Sequence, residues 1–221
     1  METKKEQHFQ ASKEIIENTD LSLNDIAVYL KIGKYMNKDT KEAYPSLQTI
    51  SDETKLSIPT IRTCITHLES AGAIKVEKKG RLNHYKFLQH SLFERFGHKF
   101  LNNENLTAQE MAFVAKMQPQ MFIDGNIGEV KYSNNQLAEI TGLSMSTIKR
   151  YNKMLETKGF ASIEDCNKTY YLDELGQFVI CALKNHEDRL QTNEKEVKEL
   201  RKEIEELKKQ LNIQDIKTIT L

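Results

Sequence analysis

Apolar residues recur at helical spacing in two separate stretches of the chain. Leu23, Ile26, Ala27 and Leu30 fall three and four apart, as do Ala108, Met111, Ala112 and Ala115, the spacing of one buried helix face. Each run is preceded by a hydroxyl residue with an acid three positions on, Ser22 with Asp25 and Thr107 with Glu110. This pattern suits a capping box, in which the hydroxyl takes the N3 backbone N–H and the acid reaches back. Glutamate reaches further than aspartate, so Glu110 is expected to cap better than Asp25. Leu47 and Ile50 then mark a second, shorter helix, matched by Leu137 and Ile140. Ile61, Ile65 and Leu68 mark a third, matched by Ile148, Tyr151 or Asn152, and Leu155.

The polar punctuation repeats as well. Residues 46–61 align with 133–148, placing Leu56 on Leu143, and the register continues from Leu68-Glu69 and Gly72 to Leu155-Glu156 and Gly159. Residues 21–27 align with 106–112 at a slightly different shift, which a change in loop length explains. An internal repeat of this length restricts the fold before any other feature does. Lys55 and Gly142 occupy the turn between second and third helices, where a left-handed residue is often required. Ser57 and Ser144 suit the N-cap of the third helix, Pro59 its first turn, and Gly72 and Gly159 its end. Short extended pieces, 43–45 and 129–132, precede the second helices. Paired strands follow both glycines, 73–77 with 83–87 and 160–163 with 169–172.

Helix, helix-turn-helix and hairpin make a winged helix. The predicted fold is therefore mainly α with small β-wings (α+β): winged helix-turn-helix domains at 1–90 and 106–172. Between them, 91–105 reads as a linker with a short docking helix built on Leu92, Phe93, Phe96, Phe100 and Leu101, which would hold the two wings in fixed orientation.

From 173 to 212 the pattern changes to a seven-residue period. Leu183, Leu190, Val197, Ile204 and Leu211 form one register and Val179, Leu200 and Leu207 the other, with His186 and Asn193 as polar interruptions. β-Branched Val197 and Ile204 at a with leucine at d favour two parallel strands, and Glu196 and Glu203 at g attract Arg201 and Lys208 at e of a partner. The stretch is predicted to be a dimerisation helix, with 213–221 as a tail.

The totals of 32 basic and 32 acidic residues in 221 hide an uneven distribution. Residues 46–90 carry seven basic and four acidic side chains, and the chain from Asp173 carries nine and eleven. A basic reader and an acidic stalk average to zero. Cys64, Cys166 and Cys181 lack metal-ligand spacing, and their odd number suits a reducing cytoplasm. No apolar run approaches the ~18 residues of a membrane span, and 1–8 leads into no signal-peptide core. Phosphate-loop, nucleophile-elbow and metal-cluster motifs are missing from the sequence, so no enzyme activity, cofactor or metal is expected.

The outward face of the third helix is what a helix-turn-helix presents to the major groove. In the first copy this face and its cap comprise Ser57, Pro59, Thr60, Arg62, Thr63, Thr66 and His67; in the second, Ser144, Ser146, Thr147, Lys149, Arg150, Lys153 and, as an alternative to its inward placement, Asn152. Arg150 suits bidentate contact with guanine, and Lys149 and Lys153 suit phosphates. Lys78, Lys79 and Arg81 cluster at the first wing tip. The second wing offers Lys168 beside Glu164 and Asp165, an acidic neighbourhood that disfavours DNA.

Leu21-Ser22, Tyr44-Pro45-Ser46, Ile50 to Leu56-Ser57, Thr60-Ile61, Leu68, Gly72 and Asn83-His84-Tyr85 together resemble the winged helix-turn-helix domains of phage and plasmid proteins. Replication initiators and replisome organisers are among these. The second copy resembles winged helices more generally, bacterial transcription regulators included. The resemblance implies that Thr60, Arg62 and Thr63, and Thr147, Lys149 and Arg150, face DNA; Thr63 stands where arginine is common. The leading expectation is a double-stranded-DNA-binding transcriptional regulator of a bacterial mobile element, acting as a homodimer. A second reading is a plasmid or phage replication initiator, whose coiled coil recruits another replication protein. A third is a protein-interaction adaptor that binds no DNA.

Overall fold

Each helix of the repeat starts where a hydroxyl side chain takes a backbone N–H. Ser22 caps helix α2 (Leu23–Gly33), Ser46 caps α3 (Leu47–Thr54) and Ser57 caps α4 (Ile58–Ser70). In the second copy Thr107 caps α6 (Ala108–Met117), Ser133 caps α7 (Asn134–Thr141) and Ser144 caps α8 (Met145–Thr157). The computed structural model describes residues 8–79, 82–88, 91–164, 166–176 and Lys198. Asp25 closes its capping box as completely as Glu110 does: its Oδ2 accepts from the Ser22 N–H at 2.8 Å, against 2.7 Å from Thr107 to Glu110. The shorter acid is no handicap here.

The turns also agree between the copies. Lys55 and Gly142 are both left-handed, with φ of 58° and 69°. Buried Thr54 and Thr141 each donate their hydroxyl to the carbonyl four residues back and accept the N–H two residues on. Gly72 and Gly159, at φ of 71° and 77°, end α4 and α8 as a left-handed residue past a helix terminus should. Glu69 and Glu156, in equivalent positions, accept the N–H of Val76 and Ile163 and so tie each third helix to the strand that follows.

In the first copy that strand is β3 (Ile74–Lys79). It pairs with β4 (Leu82–Phe87), which pairs in turn with β2 (Glu42–Ala43), giving the order β2-β4-β3. In the second copy β8 (Ala161–Glu164) pairs with β9 (Asn167–Tyr171), then β7 (Ile127–Val130) and β6 (Phe122–Asp124), giving the order β6-β7-β9-β8. Among the described residues strand β6 has no counterpart in the first copy. A single helical turn, Leu172–Leu175, follows β9.

The linker departs from expectation. Residues 93–97 are a strand, β5 (Phe93–Gly97), and the helix is only the single turn α5 (His98–Leu101). Strand β5 pairs antiparallel with β1 (His8–Ser12), from Ser12↔Phe93 to His8↔Gly97, and a short helix, α1 (Lys13–Glu17), follows β1. Extended backbone lets Phe96 reach the core opposite Phe9, whereas a helix there would strand the backbone groups of both segments. Strand β1 and the linker strand are thus one ribbon, and a boundary at residue 90 does not mark where packing stops. One core cluster runs from Phe9 to Leu175 through both copies.

Helices α2 and α6 form the centre of that core, packed directly on each other. Ile26, Ala27, Val28, Tyr29, Leu30 and Ile32 are all buried on α2, and Met111 through Ala115 and Met117 on α6. Each fully buried large side chain contributes roughly 1.5–3 kcal/mol. Positions equivalent in the repeat meet across this contact: Gln109 donates to Asn24 at 3.3 Å. Buried Lys31 and Lys116, also equivalent, each reach toward the other copy. Lys31 Nζ donates to the Leu101 carbonyl at 2.7 Å, and Lys116 Nζ to the Asn18 carbonyl at 2.7 Å and the Thr141 carbonyl at 3.3 Å. Burial lowers the pKa of both ammonium groups, that of Lys116 to about 8.

The chain divides into two units, Met1–Ala182 and Leu183–Leu221. The expected seam of Leu183, Leu190, Val197, Leu200, Ile204, Leu207 and Leu211 lies outside the described residues, as do Arg81 and Asp165. Among the described residues no helix is long and apolar enough to cross a membrane.

Candidate nucleic-acid interface

Helix α4 is anchored along one side and open on the other. Ile61, Cys64, Ile65 and Leu68 are buried, and Pro59, Arg62, Thr63, Thr66 and His67 are exposed. Thr60 is half-buried beside its cap, where its N–H donates to Ser57 Oγ. Thr63 and Thr66 donate their hydroxyls to the Pro59 and Arg62 carbonyls. Their γ-methyls and remaining oxygen lone pairs are left for a ligand, a surface suited to thymine methyls. Arg62 supplies the cation of this face. His67 has a second role beyond the surface placement expected of it: its Nδ1 lies 3.1 Å from buried Asp25, tying α4 to α2. Cys64 is core, its thiol pushed up to about 12 by burial first and by Asp25 second.

Helix α8 has the same division with different chemistry. Ile148, Tyr151, Asn152 and Leu155 are buried; Ser144, Met145, Ser146, Lys149, Arg150, Lys153 and Met154 are exposed. Tyr151 and Asn152 both face inward, so the outward option for Asn152 is corrected. Its Oδ1 accepts the hydroxyl of buried Tyr170 at 2.8 Å, and the phenol is satisfied only with Asn152 inside. The guanidinium of Arg150 lies 4.9 Å from the centre of the Tyr151 ring, and that ring stacks on Phe113 of α6 at 5.3 Å. This cation–π contact gives Arg150 a fixed base. Lys149 is exposed, and its charge suits a phosphate. Lys153 is 3.1 Å from Glu156, so its charge is shared. At the end of α8, Lys158 bonds Glu110 at 2.7 Å, the counterpart of the His67–Asp25 tie.

The wings differ more than the helices. Lys78 is exposed on the first, beside the Lys75–Glu77 pair at 3.3 Å; Lys79 closes β3 at the tip. Lys168 does not belong to the interface. It is fully buried, and its Nζ donates to the Tyr132 carbonyl at 2.8 Å. Strand alternation decides this: Tyr170, two residues on, also faces the core. Glu164 remains exposed on this wing.

The equivalent buried lysines Lys31 and Lys116 escaped the sequence reading. The signal was present, because each interrupts a helix that is otherwise apolar almost all round, and such a helix is a buried one.

Residues 19–74 match the family model of a helix-turn-helix domain, a span from the approach to α2 to the first residue of β3. No curated protein matches the chain. The matched span covers α2, α3 and α4 of the first copy, and a helix-turn-helix domain there supports DNA as a partner.

Proposed function

We propose that the chain is a sequence-specific duplex-DNA-binding protein, with α4 and α8 as recognition helices of two winged helix-turn-helix domains. It acts as a homodimeric transcriptional regulator in a bacterium or its mobile elements. The observation that carries this reading is the exposed outer face of α4 within the matched segment, repeated on α8 at equivalent positions with more positive charge. Arg62 and Arg150 read bases; Lys149 and the first wing's Lys78 and Lys79 hold phosphates. The C-terminal heptads supply dimerisation.

The test is selection of bound sequences from a random duplex pool, followed by titration at increasing salt. An enriched motif is expected, with affinity falling steeply between about 50 and 200 mM salt as phosphate counterions are released. A pool without enrichment, or salt-independent affinity, would remove DNA as the ligand. Truncation after Ala182 keeps the first unit and removes the second, and should convert a dimer to a monomer in sedimentation. A dimer that survives the cut would place the interface elsewhere.

A further inference from the structure

The proposed DNA reading leaves open how two recognition helices in one chain address a duplex. We infer that a single chain reads two unlike half-sites in inverted orientation on one duplex, so that the target is palindromic in geometry and asymmetric in sequence. This rests on the DNA reading above and adds the arrangement of the site.

Three contacts carry the inference. First, Asn24 and Gln109, equivalent in the repeat, bond each other across the α2–α6 contact. Equivalent positions meet at a two-fold axis, whereas a head-to-tail arrangement joins unlike positions. Second, Lys31 and Lys116 make reciprocal reaches. Each leaves its own first helix for a carbonyl in the segment that precedes the other, Leu101 ahead of α6 and Asn18 ahead of α2. Third, the two turns do the same. A Cβ on Gly142 would lie 2.6 Å from the Thr19 carbonyl oxygen, just before α2, and Lys55 lines a groove with residues 101–106, just before α6. Together these describe an internal dimer with isologous contacts.

The symmetry extends to the readers. Helix α4 packs on α2 and α8 on α6, and the ties His67–Asp25 and Lys158–Glu110 fix each third helix to its first. The axis relating α2 to α6 therefore relates α4 to α8. Two-fold-related recognition helices engage one duplex when their axis coincides with a dyad of the DNA, which presents the half-sites inverted. The reading residues, however, are not repeated. Arg62, Thr63 and Thr66 on α4 correspond to Lys149, Arg150 and Lys153 on α8. Identical half-sites would mismatch one reader.

The test uses the full chain in random-pool selection, repeated with Arg62→Ala and Arg150→Ala. Two different half-motifs in inverted orientation are expected. Arg150→Ala should relax a base position in one half and leave the other half intact, and Arg62→Ala should do the reverse. Inserting 5 base pairs between the halves turns them onto opposite faces of the duplex and should weaken binding at least about tenfold. Half-motifs in direct orientation, one half-motif insensitive to either variant, identical halves degraded together, or tolerance of the insertion would each overturn the inference while leaving DNA binding in place. Absence of any motif would instead overturn the DNA reading on which it rests.

Discussion

The two copies share their backbone devices and differ in the surfaces those devices present. Caps, turn threonines, terminal glycines and the Glu69/Glu156 ties recur position for position. Against that constancy, α4 offers methyl-rich threonines and one arginine, while α8 offers three cations. The first wing keeps Lys78 outside; the second takes Lys168 inside and adds an edge strand, β6. The difference separates what maintains a scaffold from what a scaffold displays. Local hydrogen-bond geometry tolerates little change, and exposed side chains tolerate almost any.

The largest effect should come from the turns. Gly142→Ala places a Cβ against backbone at 2.6 Å in a left-handed conformation, and is expected to lower stability by about 2–4 kcal/mol in urea unfolding. Lys55→Gly relieves a left-handed lysine and should stay within about 1 kcal/mol of the parent, on the stabilising side. Equal effects of the two changes would mean that the turns are not unequal partners in packing.

The lysines of the wings should separate next. Lys168→Ala strands the Tyr132 carbonyl and should cost about 1–3 kcal/mol of stability. Lys78→Ala should leave stability unchanged and reduce the slope of log affinity against log salt by about 0.9. A Lys168 variant with full stability and weakened DNA binding would put that lysine on the surface. Among the reading residues, Arg150→Ala should weaken DNA binding by roughly 1–3 kcal/mol and relax one base position, a larger loss than Arg62→Ala because Arg150 is held by Tyr151. Equal losses in anisotropy titrations would show that the stack adds nothing.

The last effect concerns pH. The pKa of Lys116 falls to about 8 in the folded protein from near 10.4 in the unfolded chain. Between these values the unfolded state binds more protons, so this group makes stability rise with pH through that window. Below about pH 8 the lysine is charged in both states and its burial is a constant cost. Lys116→Met should flatten the rise in denaturant midpoint between pH 8 and 10; an unaltered slope would assign it to other groups.

Much of the first copy and of the third-helix faces was legible because the signals are local. A serine three residues before a free N–H caps wherever the chain goes, and Ile61, Ile65 and Leu68 face inward by their spacing alone. Asn152 and Lys168 were ambiguous for the converse reason. Asn152 adjoins Tyr151 at the edge of the buried stripe, and its placement depends on Tyr170, a strand away. Lys168 looks like any wing cation until the pairing register of β9 turns it inward. The linker misled because Phe93, Phe96 and Phe100 suit a helix, and only the availability of β1 as a partner makes an extended ribbon preferable.

The sequence by itself determined the repeat, its caps and turns, and the division of each third helix into an inner and an outer face. All depend on interactions within a few residues. Tertiary structure alone decided that the copies share one core and meet at equivalent positions. Those contacts join residues 70 to 98 positions apart. Their free energy comes from burying α2 against α6, and no local pattern records which apolar surface another will cover.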